Sequence, residues 1–132
     1  MGGLGGLLPV AISMFLIAAL GGLAMAIFIF KNKYPPLFLI GAHGFFALGA
    51  LGLAIWSVGS YVMPSIVMYG TVTIMMAALG GLFLISFQFR DETHPKIIVV
   101  LHALVAVTGV SCLFLGFLRS IHSTLLFSWA AH

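Results

Sequence analysis

Apolar and polar positions alternate along the chain in long blocks, with extended apolar runs separated by short polar breaks. The charged residues fall at Lys31, Lys33, Arg90, Asp91, Glu92, Lys96 and Arg119, leaving three long uncharged stretches before and between them, each exceeding the roughly 20 residues needed to cross about 30 Å of hydrocarbon. The stretch from 34 to 89 is long enough for two crossings, with Gly59, Ser60 and Pro64 supplying its turn. The pattern predicts four transmembrane helices, at about 7–30, 36–58, 64–88 and 95–118. Pro36, Pro64 and Pro95 read as helix starts, because proline in the first turn sacrifices no hydrogen bond. The connections are too short for a further domain, so the expected fold is a single all-α membrane domain.

Composition agrees with this reading: 63% of the 132 residues are hydrophobic and 5% charged, against about a quarter charged in soluble domains. A lipid bilayer is the expected surrounding, and no nucleic-acid partner is expected. Lys31, Lys33, Arg90 and Lys96 lie in the loops at 31–35 and 89–95, with only Arg119 at the other end. By the positive-inside rule those loops are cytoplasmic and both termini lie outside, as expected in a bacterial inner membrane. The first segment is read as a span and not a signal peptide, since it lacks a basic leading region. Cys112 has no partner cysteine and is expected in the core. Trp56, Tyr61, Trp129 and the aromatic tail over 120–132 suit a membrane interface. The tail either extends the last helix or lies along the membrane.

Shifting the chain by 59 positions aligns Ala18-Ala19-Leu20-Gly21-Gly22-Leu23 with Ala77-Ala78-Leu79-Gly80-Gly81-Leu82. The same shift matches Phe28 with Phe87, Phe30 with Phe89, Pro36 with Pro95, His43 with His102 and Ala47 with Ala106. Low complexity does not readily align a double glycine, a proline and a histidine together. The expectation is two tandem two-helix repeats, at about 7–60 and 64–119, related by a pseudo-twofold axis along the membrane normal. In an up-down-up-down bundle the second and fourth helices occupy diagonal corners.

Each histidine falls seven residues after its proline, about 10 Å inside the helix start. Ionisable side chains at such depth usually mark a ligand, ion or proton site. Gly21, Gly22, Gly80 and Gly81 reach nearly the same depth on the other two helices, while Ala47, Ala50, Ala106 and Gly109 follow the histidines at helical spacing. These small residues are expected to leave a slot for a flat ligand, although they also suit close helix or homo-oligomer contacts. Two imidazoles across such a slot suit haem iron, whose axial positions face opposite sides of the porphyrin. Lys33, Arg90 and Lys96 are the expected partners of its propionates. Zinc or copper fits less well, because no Cys, Asp or Glu shares that depth. His94 replaces Pro35 in the alignment and is expected in a solvated loop, and His122 aligns with Met63, leaving no second histidine pair.

His43, His102 and the two glycine pairs make the chain resemble the four-helix membrane b-type cytochromes, including the cytochrome b of quinol-oxidising complexes. The resemblance covers most of the bundle and is architectural. It implies one haem b with bis-histidyl ligation and single-electron transfer between a membrane donor such as a quinol and a redox partner protein. Haem storage, sensing or delivery would use the same ligands, and a non-catalytic subunit or assembly factor would use the histidines structurally. A small multidrug exporter would carry an acidic residue in a span, and no span has one.

Overall fold

The computed structural model describes residues 7–130, which form α1 (Leu7–Phe30), α2 (Leu37–Ser60), α3 (Ser65–Phe89) and α4 (Lys96–Ala130). His132 and the side chain of Trp129 lie outside what is described. All four helices are long and apolar enough to cross a membrane, and no strand occurs among the described residues. Hydrocarbon offers the backbone no hydrogen-bond partner, so a chain this apolar must satisfy its N–H and C=O groups within helices. Pro36 and Pro64 occupy the N-caps, and Pro95 directly precedes α4. Each proline therefore stands one position before the first helical turn, where its carbonyl accepts the opening bonds, from Leu39 and Val67 at 2.9 Å and from Ile98 at 3.0 Å.

α1 and α3 end in the same way. Asn32 and Asp91 adopt left-handed backbone, with φ of 55° and 53°. The Lys33 N–H reaches back to the Phe28 carbonyl at 2.9 Å, and the Glu92 N–H to that of Phe87 at 3.0 Å. The inner bonds run from Asn32 to Ile29 and from Asp91 to Gln88, completing a Schellman cap on each helix. Asn and Asp tolerate this backbone better than other non-glycine residues. The Tyr34 hydroxyl then donates to the Asp91 carbonyl at 2.7 Å, tying one loop to the other. At its far end α4 runs on through the predicted tail as one helix of 35 residues, roughly 52 Å long.

α1 lies along α2 and α3 along α4, with lighter contact between α1 and α4 and between α2 and α3. The four helices thus fill a ring in chain order, with α2 and α4 on one diagonal and α1 and α3 on the other, the arrangement short connections favour. Large apolar side chains including Leu20, Phe38, Phe45, Leu79 and Leu104 point outward, as expected of surfaces that lipid covers. Inside, one core cluster gathers Leu8, Phe15, Leu51, Val67, Ile74 and Leu113 toward the end that holds the turn at 61–64. A smaller one gathers Ile29, Leu84 and Val99 near the loops. Between them, among the described residues, no large apolar side chain is buried.

Within the α3–α4 hairpin the backbones nearly touch. A Cβ at Gly70 would stand 2.8 Å from the Gly109 carbonyl oxygen, and one at Gly109 would stand 2.5 Å from Ile74 Cγ1. In hydrocarbon such close packing is a main source of helix association, since lipid tails are as apolar as the helices. Ala50, expected among the ligand-lining residues, is likewise fully buried in the turn-end cluster. Ala50 and Gly109 are therefore both engaged in helix packing. Each lies seven residues past its histidine, about two helical turns further along the axis, which carries it out of the histidine layer.

Replacing Gly109 with Ala should destabilise the bundle by about 1–3 kcal/mol through overpacking. Gly52→Ala, where nothing lies within 4 Å of the new Cβ, should leave stability unchanged or higher. Thermal unfolding in detergent compares the two, and equal losses would contradict the close contact described.

Candidate functional site

Two histidines occupy the layer between the core clusters. His43 on α2 and His102 on α4 are half-buried, and their ring centroids lie 6.4 Å apart with planes at 68°. The diagonal placement of α2 and α4 brings them together, because each side chain points inward from its own corner.

Each imidazole is held by its own hairpin. His43 Nδ1 lies 2.7 Å from the Ala18 carbonyl oxygen, and His102 Nδ1 lies 2.9 Å from that of Ala77. Both bonds span 25 residues. A helical carbonyl already accepts a bond from the N–H four residues on and is flanked by the side chains three and four residues on. For Ala18 those residues are Gly21 and Gly22, and for Ala77 they are Gly80 and Gly81. Their missing side chains leave the carbonyl bare on one side, and the imidazole docks there.

The space left by the glycines is therefore taken by the histidine rings. A Cβ on Gly22 would approach His43 Cε1 to 3.2 Å, and one on Gly81 would approach His102 Cε1 to the same distance. Gly21 and Gly80 face the Cβ and Nδ1 regions of the same rings at 3.5 Å and 3.6 Å. A slot open from helix to helix was expected, whereas the glycines first admit an imidazole and so fix its orientation. Ala47 and Ala106, one turn beyond the histidines, are half-buried.

The bonds also fix the chemistry of each ring. A carbonyl only accepts, so Nδ1 carries the proton, and in a neutral imidazole Nε2 is left with its lone pair. A first-row metal bonds an imidazole nitrogen at about 2.0–2.1 Å, which puts the centroids of two rings on opposite sides of one metal about 6.3 Å apart. The spacing here is 6.4 Å. Among the described residues no cluster of three or more His, Cys, Asp or Glu is present, so protein side chains offer two donors and no more.

The three basic residues expected to meet propionates all lie at the loop end of the bundle. Arg90 is engaged by Glu92 at 3.5 Å and by the face of Phe87 at 4.9 Å. Lys33 and Lys96 line a groove of about 430 Å³ at the loops, together with Tyr34 and His94. His122 is exposed on α4, while Met63 packs against the turn-end core. Sequence reasoning missed Ala18 and Ala77, whose backbone carbonyls carry no side-chain signature, and Tyr34. The spacing of an alanine three and four residues before a glycine pair was the available signal. The chain matches no protein-family model, no curated protein and no solved structure.

His94 lies in the loop before α4, partly exposed on the lining of the loop-end groove, with its ring 6.3 Å from that of Tyr34 and 6.4 Å from that of Phe87. Burial holds its pKa below the ordinary 6.5. The unfolded chain therefore takes up this proton at a higher pH than the folded one, and stability present above pH 6.5 is lost as pH falls below it. His94→Gln should flatten that acid-side decline in melting temperature. A decline of unchanged steepness would assign it to another group.

Proposed function

We propose that the chain is a membrane b-type cytochrome that holds one haem b between His43 and His102 and passes single electrons. The observation that carries this reading is the pair of imidazoles brought together across the bundle, their ring centroids 6.4 Å apart, each tied through Nδ1 to an alanine carbonyl. That arrangement offers two Nε2 lone pairs and, among the described residues, no cluster of three or more His, Cys, Asp or Glu, so the remaining ligands would belong to the bound group itself. A planar macrocycle meets that demand, and a bare zinc or copper ion does not. The interruption of the apolar core at this depth is also what a flat apolar ligand requires.

Haem supplies a one-electron couple buried in a low-dielectric layer. The protein's part is to hold both axial positions, which disfavours binding of oxygen and favours transfer over ligand activation. The Ala18 and Ala77 carbonyls keep each ring in the tautomer that presents Nε2 and make that nitrogen a better donor. Two tandem repeats give the reading its economy. The residues paired by the shift of 59 positions include both histidines, both accepting alanines and both left-handed cap residues, Asn32 and Asp91. A lipid-soluble donor such as a quinol and a protein acceptor complete the scheme, with the cation-rich loops on the cytoplasmic side.

Full-length protein purified from haem-replete cells should be red, with a sharp Soret band and split visible bands on reduction. His43→Ala or His102→Ala should abolish low-spin ligation, while His94→Gln should retain it. Gly81→Leu, which displaces the His102 ring from its carbonyl, should weaken haem binding by about 10–100-fold. A colourless preparation would refute the proposal.

A further inference from the structure

The loop-end groove lies on the seam between α1 and α4, with Ile29, Lys33, Tyr34, His94, Lys96 and Ile97 in its lining. Its lining includes two ammonium groups and no carboxylate. Of the neighbouring acids, Glu92 pairs with Arg90 at 3.5 Å, and neither Glu92 nor Asp91 is part of the lining. A second furrow, of about 280 Å³, continues from it along Phe30, Ile97, Val100 and Leu101 and shares Lys96 and Ile97 with the first. That furrow is almost wholly apolar and runs from the start of α4 toward the hydrocarbon. Lys96 stands where the two meet, its Nζ 6.0 Å from the centre of the Phe30 ring.

This charge belongs to one seam only. Under the shift of 59 positions the counterpart of Lys33 is Glu92 and that of Lys96 is Leu37. The matching seam between α2 and α3 therefore lacks both cations, and nothing in the shared helix architecture demands them. A free anion would satisfy the lysines and leave the furrow bare. A neutral lipid would fill the furrow and leave the lysines unanswered.

We infer that this seam binds one anionic phospholipid, its phosphate between Lys33 and Lys96 and an acyl chain along Phe30, Ile97, Val100 and Leu101. Basic pockets between transmembrane helices hold such headgroups by direct charge pairing at the membrane surface. The site does not depend on haem, because its residues are separate from the histidine pair.

Native mass spectrometry of the full-length protein, released from micelles containing either phosphatidylglycerol or phosphatidylcholine of the same acyl chains, tests the inference. The expected result is a single adduct retained preferentially with phosphatidylglycerol, weakened roughly fivefold by either Lys33→Ala or Lys96→Ala. Val100→Trp, which fills the furrow and leaves both charges in place, should also reduce it, whereas Lys31→Ala, outside the groove, should not. Equal retention of the two lipids would overturn the inference, as would an equal loss with Lys31→Ala. Loss of haem absorbance with unchanged lipid mass in the Lys33 or Lys96 variants would also overturn it, and would assign those lysines to propionates.

Discussion

A histidine in hydrocarbon has one N–H that must be satisfied, and much of this structure follows from where that bond goes. No acidic side chain lies in the spans, and the acceptor used by each ring is a backbone carbonyl. A helical carbonyl has a spare lone pair, yet the side chains above it normally block approach. The sequence Ala18-Ala19-Leu20-Gly21-Gly22-Leu23, and its copy beginning at Ala77, removes that block with two glycines directly above the alanine carbonyl. The imidazole bond of 2.7 Å to Ala18 and of 2.9 Å to Ala77 then locks α1 to α2 and α3 to α4 at one depth. The glycine pairs are as necessary to the histidines as the histidines are to the site.

Locking the rings this way has a consequence for the middle of the bundle. With two imidazoles and four glycines in one layer, no bulky side chain fills the centre, and the apolar core divides into a turn-end and a loop-end cluster. The turn-end cluster, with Gly70 against Gly109 and fully buried Ala50 and Ala54, carries the closest helix packing. The loop end is held differently, by the two Schellman caps and by the Tyr34 bond to the opposite loop. The bundle is thus clamped at both ends, with the two imidazoles in the layer between its apolar clusters.

The four spans were legible in the sequence because charged residues and prolines bound them, and the observed helices begin within one residue of Pro36, Pro64 and Pro95. The diagonal meeting of His43 and His102 followed from short connections, which leave a four-helix ring little choice. Other features depended on contacts that composition does not encode. Glycine at helical depth signals close approach without naming what approaches, so Gly22 and Gly81 read as an open slot when each is filled by an imidazole ring. Ala50 and Gly109 share the face of the histidines on a helical wheel, two turns further along, and the sequence did not show how tightly the helices close there. The left-handed caps at Asn32 and Asp91 left a faint trace, since these residue types favour that backbone, yet neither is glycine. His94 was expected in a solvated loop, and it does lie in the loop on the groove lining, but its neighbours Tyr34 and Phe87 come from elsewhere in the chain and left no local sign.

Low-temperature electron paramagnetic resonance of the oxidised, full-length protein tests the paired-histidine account most directly. Imidazole planes crossed at 68° on one ferric haem should give a low-spin signal of the highly anisotropic kind that near-perpendicular axial rings produce, and His43→Ala or His102→Ala should convert it to high spin. A high-spin signal from the unaltered protein, or a low-spin signal that survives both substitutions, would contradict ligation by these two histidines.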